Sequence, residues 1–194
     1  MMDAHEVLSI FKQCGALLEG HFRYTSGRHG RQFLQAARVL QFPEFTGRLC
    51  RALAEPFSAC EVELVVGPAT GGIVLAYETA RTLGARAAYT EKDGESGMAL
   101  KRGFALKPGA RVLVVEDVIT TGGSVHKTIA HLRARRAEVV GVGVLLDRSG
   151  GEAAFDCRFE PLARLDMESW PPDMCALCKA GVPLVEPDDL VVQG

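Results

Sequence analysis

The sequence predicts an α/β fold: a central, mostly parallel sheet flanked by helices, with a small N-terminal hood. Three observations predict it. Short apolar runs alternate with helical patterns along most of the chain, as strand–helix–strand crossovers require. The run Val112-Leu113-Val114-Val115 is apolar without a break, which suits a buried strand. Glycine-bearing turns, Gly67-Pro68 with Gly71-Gly72 and then Gly122-Gly123, each join such a run to a helical pattern.

Residues 3–18 read as a helix because Val7, Leu8, Ile10, Phe11 and Cys14 fall on one side at helical spacing. Residues 21–25 and 32–35 read as two short strands around Ser26-Gly27-Arg28-His29-Gly30. Pro43 opens a helix to about residue 55, since a first turn tolerates proline. Residues 64–66 form a short buried strand that Gly67-Pro68 breaks, a helix spans 73–83, and 85–90 is the next strand. Residues 91–97 are polar and aperiodic and read as a mobile loop, and Pro108-Gly109 marks a turn. A strand over 111–115, a helix over 125–135 and a valine-rich strand over 138–146 follow. Beyond Asp147-Arg148 the pattern weakens: 159–165 reads as a short strand, and Trp170-Pro171-Pro172 and Gly181-Val182-Pro183 punctuate a loop-rich tail. With no repeat or linker, residues 1–194 form a single domain, its hood built from about 1–37 with part of the tail.

Charge and composition exclude several classes of function. Apolar residues make up 47% and charged ones 24%, a globular balance. A formal net charge of −2 advertises no nucleic-acid grip. No apolar run reaches the ~18 residues needed to span a bilayer, so no membrane is expected as a partner. Residues 1–12 are amphipathic and lack a signal-peptide core, so a cytoplasmic location is expected. The six cysteines are scattered and read as reduced thiols. Cys175 and Cys178 form a C-x-x-C without a second pair at zinc spacing. They read as two thiols in a C-terminal loop, and no protein-held metal is expected. The alternatives are a disulfide, or a metal site completed by Cys157 and an outside ligand.

The chemistry concentrates between Val112 and Ser124. Four apolar residues run into Glu116 and Asp117, then into Val118, Ile119, Thr120, Thr121, Gly122, Gly123 and Ser124, then into a helix. An open sheet binds its ligand past the strand ends. Main-chain N–H groups of residues 121–124, unobstructed at the glycines and set at a helix start, favour a phosphate there. The hydroxyls of Thr120, Thr121 and Ser124 add donors. No lysine follows the glycines, so this is no nucleoside-triphosphate loop. Two carboxylates just before the cup suit the vicinal hydroxyls of a ribose whose phosphate fills it.

This run resembles the phosphoribosyl-pyrophosphate motif of type I phosphoribosyltransferases. Residues 18–29 with Phe33, Leu34 and Gln35 look like the hood of orotate phosphoribosyltransferases, and 66–73 like their pyrophosphate loop. Leu146-Asp147-Arg148 matches the place of their orotate-binding arginine. The resemblance spans about residues 17–148 and implies the type I phosphoribosyltransferase fold, with orotate and phosphoribosyl pyrophosphate as substrates in pyrimidine nucleotide synthesis.

By the same resemblance, Thr70, Gly71 and residues 116–124 would bind phosphoribosyl pyrophosphate. Thr120, Arg148, Phe33 and Leu34 would meet orotate, and Lys92 would sit on a catalytic loop. Asp117 would act with it at the reacting sugar. The loop, 91–104, would reach the neighbouring site of a homodimer. Mg²⁺ would ride mainly on substrate oxygens. Three cations of the better-known bacterial members are absent, with Thr25, Gly71 and Glu95 or Gly97 in their places. Lys101 or Arg102 is expected to supply the missing charge. A transferase for another base, or a ligand-sensing regulator on the same fold, is the alternative function.

Overall fold

The computed structural model describes residues 2–24, 26–94 and 97–186. Position 25 of the expected strand 21–25 and positions 95 and 96 of the expected loop 91–97 therefore lie outside the described residues. Two sheets organise the chain. The first pairs β1 (Leu17–Arg23), β2 (His29–Leu34) and the two-residue β9 (Ser169–Trp170), all antiparallel, in the order β1-β2-β9. The second has six strands in the order β5-β4-β3-β6-β7-β8. They are β3 (Leu64–Pro68), β4 (Arg86–Asp93), β5 (Gly97–Leu100), β6 (Arg111–Ile119), β7 (Glu138–Asp147) and β8 (Arg158–Arg164). Every neighbour pair in it is parallel except β4 with β5.

Alternation along β6 explains its unbroken apolar run. Leu113 and Val115 enter one apolar layer with Leu49, Leu53 and Leu75. Val112 and Val114 enter a second layer with Val125, Ile129 and Leu132. Side chains of a strand alternate between faces, so a strand covered on both sides needs apolar residues at every position. The first layer is covered by α1 (Ala4–Gln13), α3 (Pro43–Ala54) and α4 (Gly71–Leu83), and the second by α5 (Gly123–Ala134). Asp3 caps α1 by accepting from the Glu6 N–H at 2.8 Å, which ends the expected helix register at its start.

Four expectations change. β6 does not stop at Val115 but continues to Ile119, because Glu116, Val118 and Ile119 stay paired with Val144, Leu146 and Asp147 of β7. Residues 91–93 and 97 of the expected loop are instead paired in a hairpin, with rungs Thr90↔Leu100, Glu91↔Ala99, Lys92↔Met98 and Asp93↔Gly97. The tail contributes a strand, β9, and a short helix α6 (Ala176–Lys179). A further short helix, α2 (Ala37–Leu40), follows the hood.

Candidate active site at the carboxyl edge of the sheet

The alternation that builds the core also places the two acids. Glu116 continues the Val112–Val114 face toward α5, and Asp117 continues the Leu113–Val115 face toward α4. Asp117 reaches the first turn of α4, where a Cβ on Gly71 would stand 2.8 Å from its Cγ. The acids therefore straddle the end of β6 and do not lie side by side in a loop. The Asp117 N–H donates to Glu116 Oε1 at 3.2 Å, and the Val118 N–H donates to Asp117 Oδ1 at 2.7 Å.

Both carboxyls are held toward their protonated forms. Burial, reinforced by the Asp117 charge, pushes Glu116 up to about 8. Burial likewise raises Asp117. A pair of acids drawn out of water, with no ion pair to either among the described residues, favours a positively charged or hydroxyl-bearing ligand.

Beside Glu116 opens a cavity of ≈ 230 Å³, lined by residues 118–125 and Lys127. Gly122 sits at the α5 N-cap with φ 72°, a left-handed conformation that favours glycine, and no side chain caps this helix start. Thr120, Thr121 and Ser124 are exposed at its mouth. Free N–H groups at the positive end of α5 then face the cavity, the geometry for an anion.

The glycines on the other side answer to a close backbone approach. A Cβ on Gly67 would overlap the Gly72 carbonyl, and one on Gly72 would stand 2.8 Å from the Gly67 carbonyl carbon. The end of β3 and the first turn of α4 touch backbone to backbone, so these two glycines serve packing. Thr70 and Gly71 start α4 alongside, with Thr70 exposed.

Arg148 leaves the end of β7 with its N–H donating to Ile119 O at 2.7 Å. Its guanidinium is largely buried, burial pushes its pKa down, and its Nε has no partner among the described residues. The turn behind it is fixed by Asp147, whose Oδ1 accepts from Ser149 N–H at 2.9 Å and Ser149 Oγ at 2.6 Å. Tyr24 of the hood lies near enough that the Arg148 charge opposes the burial that raises its phenol. Its hydroxyl donates to Gln32 O at 2.5 Å. Sequence reasoning missed Asp147 and Tyr24 as site-building residues. The spacing Asp147-Arg148-Ser149, which suits an aspartate-capped turn, was the available signal for the first.

The remaining predicted residues divide. Phe33 stacks near Phe22 with ring centroids 5.7 Å apart, whereas Leu34 packs on the main core. Neighbours on one strand face opposite sides, so the structure does not bring these two to one surface. Lys92 is exposed on the hairpin at the same end of the sheet as the acids. Lys101 is tied to that hairpin, donating to Lys92 O at 2.7 Å and pairing with Asp93 at 3.3 Å. Arg102 makes a two-pronged pair with Glu91, both contacts 2.9 Å. The basic run on α5 is likewise engaged: Arg133 pairs with Asp156, and His131 Nε2 accepts from Leu100 N–H. His21 and His29 of the hood are buried.

The sequence profile of the phosphoribosyl transferase domain matches residues 50–159, and the chain belongs to that family. Curated relatives refine the assignment. A protein of Desulforamulus reducens named orotate phosphoribosyltransferase is 50% identical over 96% of this chain and 97% of its own length. Another of that name from Thermus thermophilus is 47% identical over 93% of this chain and 99% of its own. Within the wider family, then, the chain belongs to the orotate phosphoribosyltransferases. Among solved structures, orotate phosphoribosyltransferase from Aeropyrum pernix matches with TM-score 0.68 at 29% identity, covering 82% of this chain and 93% of that one. Adenine phosphoribosyltransferase from Rhodothermus marinus matches almost as well, TM-score 0.65 at 27% identity over 83% of this chain and 99% of that one. The fold alone does not separate the two bases. Among the described residues no helix is long and apolar enough to cross a membrane.

Proposed function

We propose that the chain transfers the phosphoribosyl group of phosphoribosyl pyrophosphate to orotate, giving orotidine monophosphate and pyrophosphate, a step of pyrimidine nucleotide synthesis. The observation that carries the reading is the acid pair astride the end of β6, with a vacant-capped helix start on one side and the unpartnered Arg148 Nε close by. A sugar phosphate laid across that edge puts its phosphate against residues 121–124, its diol against Glu116 and Asp117, and its pyrophosphate toward Thr70 and Gly71. Arg148 then meets a carboxylate on the base, for which a planar guanidinium is well shaped. Thr120 is assigned a place between the two substrates, and Phe33, without Leu34, is assigned to the base side of the hood.

Displacement of pyrophosphate at ribose C1 by the base nitrogen develops positive charge on the sugar and negative charge on the leaving group. The chain's part is alignment and charge neutralisation. Asp117 and Glu116 hold the sugar beside the developing cation. Lys92, on the hairpin, is assigned to the leaving group, with Lys101 and Arg102 supplying further positive charge from its base. Mg²⁺ fits this donor set, because two crowded carboxyls have no cation partner among the described residues. Asp117 and Glu116 would hold it together with substrate oxygens, and it would supply charge to pyrophosphate.

A homodimer in which the 91–104 segment serves the neighbouring site is proposed with it. The exposed Val74 and Tyr77, one turn apart on the outer face of α4, suit a covered surface. A cytoplasmic enzyme with small-molecule substrates and no nucleic-acid partner is the matching setting. The test is spectrophotometric: orotate should disappear on adding phosphoribosyl pyrophosphate and Mg²⁺. Adenine consumption without orotate consumption would reassign the base.

A further inference from the structure

We propose that the hood holds a structural zinc ion, ligated by His21 Nε2, His29 Nδ1, Cys175 Sγ and Cys178 Sγ. These four donor atoms lie within 4.8 Å of one another, although the histidines and cysteines come from opposite ends of the chain. His21 Nε2 is 3.2 Å from His29 Nδ1, 3.4 Å from Cys175 Sγ and 3.7 Å from Cys178 Sγ. His29 Nδ1 is 3.2 Å from Cys178 Sγ. A tetrahedron with Zn–N of about 2.0–2.1 Å and Zn–S of about 2.3 Å has edges of roughly 3.4 Å between nitrogens and 3.6 Å from nitrogen to sulfur. The observed spacings sit near those edges.

Hydrogen bonding within the cluster gives a second, independent reason. His21 Nδ1 lies 2.8 Å from Val182 O, so it carries the proton and donates. Nε2 of the same ring is then a bare lone pair. Three possible donors converge on it, His29 and the two thiols, and one lone pair cannot serve them all. A cation at the centre resolves the conflict, and the Val182 carbonyl becomes the outer contact that orients a metal-bound imidazole.

The donor set selects the metal. Two thiolates and two imidazoles are soft to borderline ligands and suit Zn²⁺ over Mg²⁺ or Ca²⁺. Binding displaces the two thiol protons to solvent, leaving Zn²⁺ with two thiolates and no net charge. His21, His29 and Cys175 are buried and only Cys178 is exposed, so four protein ligands close the site. That is the arrangement of a structural zinc, with no position left for substrate. Its work would be to fasten α6 and the tail onto the β1–β2 hairpin. Outside the cluster, among the described residues, those parts meet through the isolated bridge Phe22↔Val185, the exposed Arg23–Glu186 ion pair, the two rungs of β9 and a few hydrogen bonds. The inference does not depend on which base the enzyme uses.

The test uses the full chain, expressed with zinc and desalted under reducing conditions. About one zinc per chain should survive and be measured by elemental analysis. Replacing it with Co²⁺ should give the intense visible bands of a tetrahedral site and thiolate-to-cobalt charge-transfer absorption. Cys175→Ser and His29→Ala should abolish both, and Cys157→Ser should leave them intact. Should the first two variants fail to fold, the cobalt spectrum of the unaltered protein and the fall in Tm on chelation decide alone. Metal-free protein with a Tm insensitive to chelation, a six-coordinate cobalt spectrum, or a Cys175–Cys178 disulfide in the purified chain would each overturn the proposal.

Discussion

In the central sheet, Val112, Leu113, Val114 and Val115 are all completely buried and split two and two between apolar layers. At the heart of the hood, the buried residues of β1 and β2 include His21 and His29, and the third strand contributes two residues. The sheet is held by a short-range pattern of apolar residues repeated along each strand. The hood is held by polar groups that meet across more than a hundred residues, as when Arg28 donates to Ser169. Burial of apolar area acts under nearly all conditions. A polar closure depends on protonation, redox state and ions. The two regions meet at the candidate site, so a scaffold of one kind carries a cover of the other.

The largest effect is expected where cover and scaffold meet. Arg148→Met should lower kcat/KM for orotate by about 10²–10³-fold, the usual cost of removing one partner of a buried charge pair. Thermal stability should hold or rise, because an unpartnered buried Nε goes with it. Steady-state kinetics beside a melting curve would show it, and an unchanged KM and kcat would detach Arg148 from the substrate.

Within the scaffold, Leu113→Ala should cost about 2–5 kcal/mol in denaturant unfolding. That loss should be the same with or without a chelator, unlike any change in the hood. A chelator-dependent loss would erase the distinction between the regions.

Glu116→Gln separates charge from shape. An acid whose folded pKa lies above its unfolded value holds its proton more tightly when folded. Its stabilisation is complete below 4.5 and is lost as pH climbs to about 8. The glutamine variant should therefore lack that decline and become the more stable form toward about pH 8, as read by melting across pH. Its affinity for phosphoribosyl pyrophosphate should be weaker and should no longer improve with rising pH. Parallel curves for the two proteins would place Glu116 in water.

The smallest changes in stability belong to the hairpin. Arg102→Ala, which removes an exposed, solvent-screened pair with Glu91, should leave the melting temperature almost unchanged. Turnover is the sharper reading there: Lys92→Ala, Lys101→Ala and Arg102→Ala compared singly locate the charge on the leaving group, and wild-type rates in all three would remove it from this hairpin.

The same contrast explains what could be read from the residues alone. The run 112–124 revealed the start of its strand and the helix that follows because both lie in one contiguous stretch. So did α3, announced by Pro43, and the alternation of strands with helices. Three things stayed hidden because they depend on distant partners. β9 is too short to show a period and exists through Gly30 and His29. Gly67 and Gly72 clear each other's backbone, a contact between β3 and α4 that no local pattern shows. Cys175 and Cys178 lacked companions until the fold brought His21 and His29 to them. The straddling of β6 by its acids was legible in principle, since alternation was already implied, but it required knowing that the strand continues past Val115.

The hairpin has one more property. At the rung Thr90↔Leu100, both strands are pinned to α5: Thr90 Oγ1 lies 2.8 Å from Thr128 Oγ1, and the Leu100 N–H meets His131 Nε2. The rungs beyond it join β4 and β5 only to each other. Thr90↔Leu100 is therefore an anchor point. The arm that carries Lys92 projects past the last rung of the parallel sheet, and α5, whose first turn lines the cavity beside Glu116, is the mount to which its base is fixed.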